Sequence, residues 1–315
     1  MPNTSTELLS TDFILVGFSD VQHAIFLAPI FLTTYMLSLF GNVLLLYLTM
    51  ISPHLHSPMY FFLSNLSLVD LCLTTVVVPR LLLNLLLGKK SISPPECFAQ
   101  AYFFIAFAGL ECFILSIMAM DRFVAVCKSL HYVIIMNKRM CLKLALASWI
   151  INFVNSVLHT LLIATLTFCG PKVIQHFFCD LFPLFKLACS KTSINQLVIF
   201  TEGFVVVAFP FLVTFISYIH IIWTILNIHS TSGRKTAFST CSAHLSVVLI
   251  FYGTVICVYF RPSSTYSLAY DRLGGVLYTV ITPMLNPFIF SLRNKDVKAA
   301  FKKFVYTKLF IRDNQ

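Results

Sequence analysis

Charge is what this chain has least of. Only 11% of its 315 residues are charged, while 58% are hydrophobic. Soluble domains ordinarily carry about 25% charged residues, so this chain is short of groups to cover a water-facing surface. A bilayer removes that need, because lipid accepts an apolar exterior. A length that would suggest two soluble domains therefore implies one membrane domain of several spans.

Further absences narrow the class. No block of basic residues with interleaved aromatics precedes the last few dozen positions, so the formal charge of +10 does not mark a nucleic-acid binder. Residues 1–24 have no positively charged leader region, which makes the first span the expected targeting element. There is no His-Glu-x-x-His zinc motif, no Gly-x-Ser-x-Gly elbow, and no nucleophile or oxyanion hole beside the intramembrane acids, so an enzyme is not expected. No lysine lies between Gly274 and Leu292, where a retinal protein needs its Schiff base. The two halves of the chain do not resemble each other, as the inverted repeats of a transporter would.

What is present is a set of seven apolar stretches, each near the 20 residues that a span needs, over 25–51, 59–82, 98–126, 141–166, 197–225, 239–260 and 274–292. They predict an all-α, seven-span bundle over 25–292, between an outer N-terminus (1–24) and an inner segment (293–315). With the N-terminus outside, fourteen of the 22 basic residues fall on the cytoplasmic side, among them Arg122, Lys128, Lys138, Arg139, Lys143, Arg234 and Lys235. That asymmetry sets the orientation. Asn3-Thr4-Ser5 agrees with it, since this glycosylation acceptor must face the lumen. Beyond the last span, Val297, Phe301, Phe304 and Val305 recur at helical spacing between Lys298, Lys302 and Lys303, the pattern of an amphipathic helix on anionic membrane lipid.

Four of the ten cysteines lie on the outer side, at Cys97, Cys169, Cys179 and Cys189. An even number in an oxidising compartment predicts two bridges, and the sequence leaves all three pairings open. His176 and Cys179 have a spacing that a metal site uses, but a disulfide would consume the thiolate that ligation requires.

Asp70 and Glu111 stand near the middles of spans two and three, where a charge costs about 2.5–3.5 kcal/mol, so both are expected to face the interior and act. Two carboxylates in one interior repel unless one is protonated or a cation lies between them. Glu111 and Arg122 are eleven residues apart, about three turns and roughly 16 Å, which puts them on one face with Phe104, Ala108, Leu115 and Met118 on or near it. Pro210, Pro283 and Pro287 lie inside spans, where each leaves a carbonyl without its donor.

These residues also carry a resemblance. Met118-Ala119-Met120-Asp121-Arg122-Phe123-Val124-Ala125-Val126-Cys127, then Leu130-His131-Tyr132, resembles the span-three signature of olfactory receptors. Leu55-His56-Ser57-Pro58-Met59-Tyr60-Phe61-Phe62-Leu63 resembles the entry to span two, and Lys235-Thr236-Ala237-Phe238-Ser239-Thr240-Cys241-Ser242-Ala243-His244-Leu245 the start of span six. Pro283-Met284-Leu285-Asn286-Pro287-Phe288-Ile289-Phe290-Ser291-Leu292-Arg293-Asn294 is similar to the end of span seven, and Gly41-Asn42 belongs to the same set. Phe123, Phe290 and Met120 depart from the family, which commonly has tyrosine at each.

The resemblance implies an odorant pocket in the outer half of the bundle and coupling to a stimulatory olfactory G protein at the plasma membrane. It places in that pocket Phe104, Ile105, Ala108 and Gly109 of span three, Glu202, Gly203 and Val206 of span five, Tyr252, Val255 and Tyr259 of span six, and Thr279 of span seven. Of these, Tyr252, Val255 and Tyr259 also share a helix face by spacing alone. The resemblance further implies bridges Cys97–Cys179 and Cys169–Cys189, and a G-protein switch at Asp121, Arg122, Asn286 and Pro287. No organic cofactor is expected. A sodium ion between Asp70 and Glu111 is, since the family carries an acid at both positions.

Overall fold

The computed structural model describes residues 12–18, 24–259 and 268–312, without the side chains of 240, 258, 259, 292, 293 and 305–312. Asn3 and the side chains of Tyr259 and Val305 lie outside that description. The spans are helices α1 (Leu27–Ile51), α2 (Pro58–Leu87) and α3 (Pro94–Cys127), followed, after the inner-loop turn α4 (Tyr132–Ile135), by α5 (Lys138–Ala164). The short α6 (Leu181–Leu187) belongs to the outer loop. Span five is then α7 (Ser193–Gly203) running through a π turn, Phe204–Ala208, into α8 (Phe209–Leu226). Span six is α9 (Thr231–Tyr259), and span seven is α10 (Leu268–Val276), a second π turn, Leu277–Ile281, and α11 (Thr282–Arg293). Six of these spans are long and apolar enough to cross a bilayer as they stand. The seventh, α9, does so as two limbs, Thr231–Ser239 and Cys241–Cys257, that meet at 46°. The bundle is a seven-transmembrane fold.

The helix ends follow from local chemistry. Pro58 opens α2, and Gly88 closes it at φ 62°, a left-handed position that favours glycine. Ser93 and Glu96 form a capping box at the start of α3, where each side chain accepts from the other's backbone N–H. Each π turn leads directly into a helix with a proline in its first turn, Pro210 in α8 and Pro283 in α11. The wider turn accommodates a ring that would otherwise meet the preceding carbonyl. Helix α3 packs against α2, α5 and α8 and carries the central core.

The outer end is closed by a small sheet that the hydropathy pattern does not announce. Strand β1 (Phe13–Leu15) lies between β2 (Ser91–Ile92), to which it runs antiparallel, and β3 (Val173–Ile174), to which it runs parallel. Phe13 and Leu15 point inward and Ile14 outward, the alternation a strand imposes. Asn84 donates to the Leu15 carbonyl across 2.8 Å, and Gly17 N–H to the His176 carbonyl across 3.1 Å. At the inner end, α12 (Lys295–Arg312) turns along the bundle, with Val297 buried and Phe304 packed edge-on against Tyr47 of α1.

Candidate functional site

The interior-facing line of α3 passes through three tiers of polar and aromatic groups. Phe104, Glu111, Leu115, Met118 and Arg122 are all buried on it, and Ala108 is half-buried.

The outer tier is aromatic. Phe104 packs on Phe178 of the outer loop (ring centroids 4.7 Å apart) and edge-on against Tyr278 (6.2 Å). Phe251 joins Tyr278 to Tyr252, and Phe211 meets the other side of Tyr252 at 5.0 Å. The Tyr252 hydroxyl is buried beside the Thr214 hydroxyl, which itself donates to the Pro210 carbonyl. Val255 is buried one turn further out, and Thr279 donates to the Gly275 carbonyl. Ile105 and Val206 are half-buried.

Two residues expected in the pocket also join neighbouring spans. Gly109 is a packing point: a methyl group there would lie 2.2 Å from Asn152 Oδ1 and 2.9 Å from a Val206 methyl, so only glycine lets α3, α5 and the span-five π turn approach this closely. The Glu202 carboxylate is spent on α5, where it pairs with His159 and lies against the Asn155 amide. It forms a clasp between spans four and five. At Gly203 an added methyl group would meet nothing.

The two bridges Cys97–Cys179 and Cys169–Cys189 close the outer loop over this tier. Cys179 N–H also donates to Gln100 Oε1 (2.9 Å), whose amide donates in turn to the Val76 carbonyl (2.9 Å). The disulfide takes the thiolate from the His176–Cys179 pair. His176 instead stacks on Phe177 at 4.7 Å, with the backbone of Gly275 close beneath both rings. Burial and the loss of hydration hold the His176 imidazole down at about 4. Burial, opposed by the Leu181 N–H that Asp180 caps and reinforced by Asp271, pushes the Asp180 carboxyl up to about 6.

The middle tier holds Asp70, Glu111 and Asn286, all fully buried or nearly so. Asn286 Nδ2 donates to Asp70 Oδ2 across 2.9 Å. Asp70 Oδ1 has no hydrogen-bond partner among the described residues, and Glu111 has Asp70 and Asn286 as polar neighbours. The ring of Pro287 in span seven fits against Gly41, and Asn42 donates to the Pro283 carbonyl.

The inner tier is a set of paired polar groups. Asp121 pairs with Arg122 and accepts from the Tyr132 hydroxyl of the inner loop at 2.8 Å. Tyr218 of α8 and His244 of α9 join at 2.6 Å with their rings stacked. Phe123, without a tyrosine hydroxyl, packs instead against His220 at 5.7 Å and under Lys128. Below Arg122 and Phe290 opens a cavity of about 520 Å³, walled by α2, α9 and the start of α12. Sequence reasoning missed the Tyr218–His244 and Glu202–His159 pairs. The only signal for them was a polar residue inside each of two separate apolar runs.

A family model described as olfactory receptor matches residues 31–308. The chain belongs to the olfactory receptor family. It is 50% identical over 297 residues to olfactory receptor 1L4 of Homo sapiens, covering 93% of this chain and 95% of that one. It is 49% identical to olfactory receptor 1L6 of Homo sapiens (93% and 85%) and 48% to olfactory receptor 1f45 of Rattus norvegicus (93% and 94%). The receptor is thus a multi-pass membrane protein and no enzyme.

Proposed function

We propose that the receptor, in the plasma membrane with its N-terminus outside, binds a small lipophilic odorant in the outer half of the bundle. It then activates a stimulatory heterotrimeric G protein, raising cyclic AMP in olfaction. The observation that carries the pocket is the buried Tyr252 hydroxyl within an aromatic wall, with Thr214 as its polar neighbour. A ligand's polar atom bonded to it would contribute about 0.5–1.5 kcal/mol. Phe104, Ile105, Ala108, Gly203, Val206, Val255 and Thr279 are its proposed neighbours, and a mostly apolar lining with few polar groups favours a lipophilic molecule with one or two hydrogen-bonding groups. On the inner side, Leu130, Val133 and Ile134 are 92%, 79% and 72% exposed beside the Asp121–Arg122–Tyr132 lock, an apolar surface suited to a G-protein subunit.

The test is an odorant panel on cells expressing the receptor with a stimulatory olfactory G protein, read as cyclic AMP. Small apolar agonists whose potency falls in Tyr252→Phe support the assignment. Agonists limited to large peptides or multiply charged molecules would overturn it.

The middle tier supports a second element of the same function, a sodium ion held by Asp70 and Glu111. The buried carboxylate oxygens of Asp70 and Glu111, sharing Asn286 as their polar neighbour, are hard donors suited to such an ion. Bound there, sodium would neutralise part of the paired acids' charge and favour the inactive bundle, with Asn286 orienting Asp70.

A further inference from the structure

The inner cavity carries a charge pattern that the proposed G-protein face leaves unused. Its wall includes Lys235 from the first turns of α9 and Lys295 from the start of α12, with Ser57 and Ser239 beside them. Arg122 also reaches the wall, but Asp121 holds its guanidinium. Asp296 is the acid on this wall among the described residues, and it already accepts from the Tyr60 hydroxyl at 2.9 Å. Neither lysine forms a salt bridge among the described residues. Two lysines brought by separate elements therefore line one partly open cavity with a single, engaged counter-charge. Like charges held together in a concave site raise the local concentration of anions.

We propose that this cavity binds a phosphate-bearing anion through Lys235 and Lys295, with the Ser57 and Ser239 hydroxyls as further donors. A phosphate monoester carries about −1.5 to −2 charges at pH 7 and three acceptor oxygens, enough for both ammonium groups and the hydroxyls together. A single carboxylate would bring one negative charge to two ammonium groups. Lysine serves such sites as a point charge, without the planar fork that a carboxylate partner rewards in arginine. The phosphate has two sources on this side of the membrane. One is the headgroup of an inner-leaflet phosphoinositide, reached where α12 folds back with Phe304 on Tyr47. The other is a soluble phosphorylated metabolite. Occupancy would place a polyanion beside Arg122, next to the proposed G-protein face, so the anion opposes coupling. That consequence rests on the functional reading above, but the binding does not.

The experiment uses the full-length receptor in phosphatidylcholine nanodiscs. One arm adds phosphatidylinositol 4,5-bisphosphate to the lipid, and the other adds labelled inositol 1,4,5-trisphosphate to the solution. Saturable binding is expected, weakened about fivefold by Lys235→Gln or Lys295→Gln, as about 1 kcal/mol per lysine implies. The double variant should lose roughly the product of the two factors. Binding in the lipid arm alone assigns the headgroup, and binding in both admits the soluble anion; either supports the site. Equal binding by wild type and the double variant would overturn it. So would an equal loss in Lys302→Gln/Lys303→Gln, which would reveal diffuse attraction to α12. G-protein nucleotide exchange, measured without the anion, reads the coupling separately. Exchange without anion binding sinks this site alone, while anion binding without exchange sinks the coupling alone.

Discussion

The side-chain amide of Asn42 donates to the carbonyl of Pro283 across 3.0 Å, from the first span to the seventh. Pro283 is the residue four positions before Pro287, and Pro287 has no N–H to offer that carbonyl. Asn42 supplies the missing donor, and Gly41 beside it clears room for the Pro287 ring. The pair explains why a glycine and an asparagine stand together in an otherwise apolar span. Asn42→Ala should cost about 1–3 kcal/mol by orphaning the carbonyl. Thermal unfolding of the purified receptor measures this, and an unchanged midpoint would contradict the account.

The outer bridge makes a prediction about equality. Cys97→Ser and Cys179→Ser remove the same bond, so each should lose about 2–5 kcal/mol and neither should worsen the other. Surface staining of the single and double variants checks this. Additive losses would mean that the two cysteines act separately.

The outer loop should also show two opposed responses to acid. In the unfolded chain His176 takes up a proton near 6.5, while the folded protein refuses it down to about 4. Its contribution to stability therefore falls as pH drops through that window. Asp180 runs the other way. Folded, it holds a proton up to about 6 against 3.8 unfolded, so its contribution is present at low pH and lost as pH rises through 6. Asp271 faces both groups, and Arg272 faces His176. Compared with wild type between pH 6.5 and 4, His176→Gln should lose less thermal stability on acidification and Asp180→Asn should lose more. Parallel slopes for the two variants would refute the assignment.

At the inner lock, Asp121 serves both Arg122 and Tyr132. Arg122→Ala should reach the surface and bind agonist yet fail to raise cyclic AMP. Tyr132→Phe removes one partner from Asp121 and should raise basal cyclic AMP, because the lock then loses a hydrogen bond of about 0.5–1.5 kcal/mol, or more to a charged acceptor. Normal stimulated signalling by Arg122→Ala would remove the switch from this position.

The proposed sodium ion at Asp70 and Glu111 is separable from a shared proton. Replacing sodium by a large organic cation at constant ionic strength should raise agonist affinity, since sodium and agonist oppose each other by the same factor. Affinity that ignores the replacement but moves with pH would assign the site to a proton.

Much of this receptor was determined by its sequence alone, because the relevant signals are local. Span count follows from apolar runs, which bilayer thickness reads directly, and the proposed orientation rests on lysine and arginine placement. The shared face of Glu111 and Arg122 follows from helix pitch, and the motifs around Arg122 and Pro287 carried the family. Tertiary structure decided what depends on rotation about a helix axis and on contacts distant in the chain. Neighbouring spans, and not hydropathy, set that rotation. Glu202 therefore meets His159 across two spans, and Gly109 packs against Asn152, although the family resemblance had placed both in the pocket. Strand β1 was invisible for the same reason. Three residues form a strand only when Ser91–Ile92 and Val173–Ile174 are folded beside them to take up their hydrogen bonds.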